Sequence, residues 1–103
     1  AARASQNKTY KIIANENTLR TLKFTSISAS PSFSVAISNT GTNTVLVDVR
    51  TSTGGYFGSF SVAPGLSYTP VYYYPGGETG VVWVEVRKSS ISGTGIGTVS
   101  VSN

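Results

Sequence analysis

The feature that most constrains this sequence is an alternation of apolar and polar residues that recurs from Tyr10 to the end of the chain. In the run 32–38, three apolar residues alternate with Ser and Ala, and in the run 79–88 valines alternate with Trp83 and charged residues. A period of two places successive side chains on opposite faces of a β-strand, whereas an amphipathic helix needs a period near 3.6. No stretch sustains a helical period. The pattern therefore predicts an all-β chain.

Turn-forming residues divide the chain into about eight short strands spaced roughly ten residues apart, as in antiparallel sandwiches and barrels. Eight strands in two sheets predict an antiparallel β-sandwich, with jelly-roll topology preferred and an immunoglobulin-like order second. Pro70 lies within the sixth strand, 67–74, and indicates an edge position because proline cannot donate to a sheet ladder. Leu19 is out of phase with Leu22 and Phe24, which predicts a bulge or a bend there.

The first eight residues lack this alternation. We predict a flexible amino-terminal arm over residues 1–8 and a single β-sandwich domain over residues 9–103. An unpatterned segment of this kind can lie along a neighbour's sheet and hydrogen-bond to it. The candidate inter-subunit arm consists of Ala1, Ala2, Arg3, Ala4, Ser5, Gln6, Asn7 and Lys8. Asn7 also begins an Asn-Lys-Thr triplet that fits the N-glycosylation pattern.

The residue inventory argues against catalysis. The chain has no His and no Cys, so the commonest general bases and soft metal ligands are missing. Its four carboxylates stand apart in the sequence, and Asp48 and Glu85 alternate with apolar neighbours, so we expect both to face solvent. The glycine-rich run 93–97 follows no parallel-sheet pattern and is interpreted as a turn before the last strand. We predict a protein that is not an enzyme and that holds no metal or cofactor.

The charge content indicates where such a chain works. Charged residues make up 12% of the sequence, about half the usual share, and Ser, Thr and Asn take their place. A surface of this kind suits a protein outside the cell or packed against copies of itself. No apolar run approaches the length of a membrane span. The net charge of +4 comes from scattered bases, which does not favour nucleic acid as a partner.

The aromatic residues form the one constellation that suggests a binding surface. Tyr72 and Tyr74 are two apart in a predicted strand and therefore share a face. With Tyr56 and Trp83 they define a candidate aromatic face that serves either as a subunit interface or as a stacking platform for sugar rings. We favour the interface, because tyrosine is enriched at protein–protein contacts.

Two runs resemble a known family. The runs FSVAISNTGTNTVLVDVRTSTGGYFGSFSVAPGLSYT and SGTGIGTVSVSN, within residues 33–103, are similar to the small jelly-roll subunits of bacterial endospore appendages. The resemblance implies subunits that stack through sheet augmentation and an amino-terminal connector that reaches the next subunit. The connector of that family usually carries cysteines, and this chain has none.

Three functions follow from these features. The favoured hypothesis is a structural subunit that self-assembles into an extracellular fibre or surface layer by strand addition and the arm, with copies of itself as partners. The first alternative is a carbohydrate-binding or adhesive module that binds a polysaccharide through the aromatic face. A weaker alternative is a viral or phage coat jelly roll whose basic arm contacts nucleic acid.

Overall fold

The computed structural model describes residues 5–27, 32–51, 56–73 and 80–102. The described residues form nine β-strands and no helix. The strands are β1 (Ser5–Ile12), β2 (Arg20–Ile27), β3 (Ser32–Ser38), β4 (Val45–Thr51), β5 (Tyr56–Val62), β6 (Ser67–Tyr68), β7 (Val71–Tyr73), β8 (Gly80–Lys88) and β9 (Gly95–Ser102). The prediction of an all-β fold is confirmed.

The strands form two antiparallel sheets that pack as a β-sandwich. One sheet has the order β1-β9-β3-β6, with β7 also paired to β3, and the other has the order β2-β8-β4-β5. Pairing is nested along the chain, because β4 pairs with β5, β3 with β6 and β7, β2 with β8, and β1 with β9. This nesting is compatible with the jelly-roll order preferred from the sequence, which stays a prediction.

The core lies between the sheets and is built by the alternation seen in the sequence. In β3 every second residue is buried, and in β9 Val99 and Val101 are buried between more exposed neighbours. The buried hydrophobic residues are Tyr10, Ile12, Phe24, Phe33, Val35, Ile37, Val45, Val47, Val49, Val62, Val82, Val84, Val86, Val99 and Val101. Because valine packs well on pleated sheets, a valine-rich core suits this fold.

Two local predictions can be compared with the strands. The predicted sixth strand is interrupted at Pro70 into β6 and β7, and both lie at the edge of their sheet, so the edge position is confirmed. The Pro70 carbonyl still accepts a hydrogen bond from the Val35 amide, at 3.0 Å. The bulge predicted at Leu19 is wrong, because Leu19 precedes β2 and the register shift falls between Phe24 and Ile27.

Because the Tyr10 hydroxyl is buried, the stability of the fold is expected to change with pH in the alkaline range. It donates to the Ser38 carbonyl oxygen at 2.6 Å, and burial raises the pKa of Tyr10 to about 12. The neutral phenol therefore stabilises the fold fully below the unfolded pKa of 10, and this contribution is lost as pH rises from 10 to about 12. The loss is at most on the order of 3 kcal/mol.

We expect Tyr10→Phe to cost about 1 kcal/mol at pH 7, through the lost hydrogen bond, and to weaken the loss of stability above pH 10. Urea denaturation at pH 7, 10 and 11.5 measures both effects. Tyr73→Phe is the matched control, since Tyr73 is 74% exposed. A parent and a Tyr10→Phe variant that lose stability equally between pH 10 and 11.5 would contradict the assignment.

Candidate assembly surfaces

The sandwich presents its edge strands on two opposite sides. β1 and β2 end the two sheets on one side, and their contact joins those edges. β5 ends the four-stranded sheet on the other side, and β6 and β7 end the five-stranded sheet. An edge strand has one row of backbone N–H and C=O groups that its own sheet leaves unpaired. These edges are therefore the places where another strand can be added.

The β1–β2 side carries basic residues. Lys8, Lys11 and Lys23 are exposed on these two strands, and Arg20 forms a 2.7 Å ion pair with Glu16 in the connecting turn. Lysines on an edge strand oppose pairing with a second chain, since the charges must be kept in water. This side is thus protected against edge-to-edge contact by its charge.

A buried lysine organises one end of the sandwich. Lys88 is 1% exposed, and its Nζ donates to three carbonyl oxygens, those of Ile13 at 2.8 Å, Ile91 at 2.9 Å and Gly93 at 2.8 Å. All three ammonium protons are used, which is what a buried cation requires in the absence of a carboxylate partner. Lys88 therefore clamps the β1–β2 turn to the β8–β9 loop.

Buried Asn39 connects the other loops at this end. Its Nδ2 donates to the carbonyls of Asn43, at 2.7 Å, and Val62, at 2.9 Å, and its Oδ1 accepts from the Gly41 amide at 3.0 Å. The Asn39 amide and carbonyl also bond to Leu66 and Gly65 in the β5–β6 turn. The loops at this end of the sandwich are consequently held together by buried polar groups. The sequence analysis did not identify Asn39 or Lys88.

The predicted aromatic face divides into two places. Trp83 and Tyr56 lie on the outer face of the four-stranded sheet, in one row with Lys23 and Arg50. Lys23 Nζ lies 4.8 Å from the centre of the Trp83 ring, a cation–π contact that covers part of the surface a sugar would need. In the next row, Asp48 and Glu85 are directly opposite each other, and Glu85 is paired with Arg50 at 3.1 Å.

Tyr72 lies elsewhere, in the other sheet, and packs inward. Its ring is 5.8 Å from those of Phe33 and Phe57, and burial, followed by the neighbouring phenols of Tyr68 and Tyr56, raises its pKa. The prediction of one face shared by Tyr72 and Trp83 is wrong, because β7 and β8 belong to different sheets. Tyr74 lies outside the described residues, and polysaccharide binding stays a prediction.

The predicted arm is also divided. Ser5, Gln6, Asn7 and Lys8 belong to β1 and pair with β9 from Ser5↔Ser102 onwards, so they are part of the sandwich, and the prediction that the arm includes residues 5–8 is wrong. Their polar side chains are compatible with a strand because an edge strand is held largely by its backbone ladder. Ala1 to Ala4 lie outside the described residues, and their role as a connector stays a prediction.

Comparison with known proteins identifies a similar fold. No family model matches the sequence, and no curated protein matches it. A solved structure from Bacillus endospore appendages, described as a novel family of disulfide-linked pili, superposes with a TM-score of 0.59 at 14% identity. The alignment covers 98% of this chain and 85% of that chain. The resemblance predicted from the sequence is thus confirmed as a likeness of fold. No helix in the described part of the chain is long and apolar enough to cross a membrane.

Proposed function

We propose that this protein is a structural subunit that self-assembles into an extracellular fibre or surface layer. The observation that carries the proposal is the edge formed by β5, β6 and β7, which carries no lysine and beside which no further strand lies in the described part of the chain. Edges of this kind add strands from other chains through backbone hydrogen bonds. The fold shared with a chain from pili supports the same function, and we propose a location on the outside of a cell or spore.

Assembly proceeds by strand addition, with the amino-terminal segment as connector. In a subunit that keeps β1 in its own sheet, the connector lies amino-terminal to Ser5. Within the sequence given, residues 1–4 belong to this segment and span up to about 14 Å when extended. These four residues include one charged residue, Arg3, and three alanines, so their contribution comes chiefly from the backbone.

We expect removal of residues 1–4 to abolish assembly without unfolding the subunit. The deletion stops before Ser5 because a longer one would cut into β1. The double variant Ala2→Pro/Ala4→Pro should have the same effect at unchanged length, since it removes two backbone donors, whereas Arg3→Ala should assemble like the parent. Light scattering measures assembly, and circular dichroism measures the fold. If the deletion variant assembles as well as the full chain, the segment is not the connector.

A further inference from the structure

The edge strands on one side of the sandwich carry no charged side chain. Residues 51–77 contain no Lys, Arg, Asp or Glu, and they supply β5, β6 and β7, the edge strands of that side. Five of the eight large hydrophobic residues that are exposed in the described part of the chain lie here. They are Tyr56, Leu66, Tyr68, Val71 and Tyr73, with exposures of 51% to 74%. We call this surface the charge-free side.

The charge-free side has the shape and rigidity of a contact surface. Phe60 and Tyr68 meet edge to face, with ring centres 4.9 Å apart, so the β5 and β6 edges are joined by an ordered aromatic pair. Beside them lies an open groove of about 350 Å³ lined mainly by apolar groups, including Phe60, Leu66 and Tyr68. Rigid aromatic anchors next to a groove are typical of the centres of protein–protein contacts. The two edges also lack the lysines that protect β1 and β2.

We propose that the charge-free side binds the same side of a second copy about a two-fold axis, with β5 antiparallel to β5 of the partner. An antiparallel strand paired with its own copy is self-complementary, as a two-fold contact requires. The four-stranded sheets of the two copies then become one continuous sheet. This contact deepens the proposed function, because it sets how two subunits, or two rows of subunits, lie side by side.

Charge argues against the alternative contact, in which the charge-free side of one copy binds the β1–β2 side of the next copy. That contact would desolvate Lys8, Lys11 and Lys23 against β5, β6 and β7, strands that themselves carry no carboxylate. A buried cation without a partner is strongly unfavourable. A second charge-free side imposes no such loss, and its tyrosines keep their hydroxyls at the rim, where water can reach them.

The size of the surface sets the expected affinity. β5 has seven residues and is about 23 Å long at 3.3 Å per residue, and the molecule measures 17 Å along its shortest axis. The contact thus covers about 400 Å² on each copy, half the area of a standard interface. We expect a dissociation constant on the order of 10–100 µM.

Sedimentation velocity on the full chain from 5 µM to 1 mM tests the proposal. Val71 is 55% exposed on β7, so Val71→Lys and Val71→Glu should fold normally and each should weaken the dimer at least about tenfold. An equimolar mixture of the two should restore it, because a two-fold contact brings the opposite charges together. Thr9→Lys, which adds the same charge on the opposite edge of the same sheet, should dimerise like the parent.

Three results would overturn the two-fold contact. They are a parent that stays monomeric at 1 mM, a Thr9→Lys variant weakened as much as Val71→Lys, and a Val71→Glu variant that associates more strongly than the parent. Stronger association of Val71→Glu would indicate that Val71 contacts the basic β1–β2 side of the next copy, where a new carboxylate would be attracted. Fibres sediment far ahead of dimers, so the two kinds of association separate in one run. If fibres form but no dimer is found, the two-fold contact is wrong and the proposed function stands. If a dimer forms but no fibres are found, the two-fold contact stands and the proposed function is wrong.

Discussion

Replacing Gly97 by alanine is expected to lower the melting temperature by at least about 12 °C. Gly97 is buried in β9, opposite Tyr10. A Cβ at this position would overlap the Ser38 carbonyl oxygen and lie 2.8 Å from the Tyr10 hydroxyl. These two groups are hydrogen-bonded to each other, so neither can move aside without breaking that bond. Overpacking of this kind costs about 3 kcal/mol, and each kcal/mol shifts the melting temperature of a 100-residue domain by roughly 4 °C or more.

Gly65→Ala is the matched control for the glycine substitution. Gly65 has a φ of 81° in the β5–β6 turn, and nothing lies within 4 Å of the position a Cβ would take. Alanine there meets only the backbone strain of the left-handed region, about 1 kcal/mol. Differential scanning calorimetry should therefore show a fall about three times larger for Gly97→Ala. A Gly97→Ala variant that melts within 4 °C of the parent would contradict this prediction, because it would show that the strands around Tyr10 can move apart at little cost in free energy.

Replacing Lys88 by methionine is expected to destabilise the protein by about 3–5 kcal/mol, because three carbonyl oxygens lose their hydrogen bonds to a charged donor. Methionine fills a similar volume but donates no hydrogen bond, so the carbonyls of Ile13, Ile91 and Gly93 would each lose the ammonium as a donor, and the Ile91 carbonyl would keep the Asn15 amide. The clamp between the β1–β2 turn and the β8–β9 loop would be lost with them. Urea denaturation at pH 7 measures the change in the free energy of unfolding.

Lys23→Met is the control for Lys88→Met. It removes the same charge from an exposed position, where the ammonium contacts only the Trp83 ring among the interactions found for it, and it should cost no more than about 1 kcal/mol. Hydrogen exchange adds a second measurement, because loss of the clamp should speed exchange of the Asn15 amide, which bonds to the Ile91 carbonyl. Equal stability of Lys88→Met and Lys23→Met would contradict the role of Lys88.

The strands could be predicted from the sequence because alternation is local information. The run 32–38 coincides with β3, since every second residue of it is buried and polar turn residues follow it. The first half of β1 could not be predicted in this way. Ser5 to Lys8 have no apolar alternation, and they are strand residues because β9 offers a backbone ladder from a distant part of the chain.

The candidate site was harder to predict because it depends on which strands become neighbours. Consecutive strand residues face opposite ways, and accordingly Tyr72 packs inward whereas Tyr73 is exposed. The nested strand pairing decides which sheet each aromatic residue belongs to, and this pairing cannot be inferred from a local sequence pattern. The sequence contains one signal that predicts burial of Lys88. It continues the phase of Val82, Val84 and Val86, so the period of two already places it inside the sandwich.

Negative-stain electron microscopy of the purified full chain, over a range of concentrations and incubation times, tests self-assembly most directly. The proposal of a structural subunit predicts ordered filaments or sheets with a regular repeat, built from the folded domain and lost when residues 1–4 are removed. A population that remains small at every concentration, as single 10.8 kDa particles or as pairs, would contradict self-assembly into a fibre or layer.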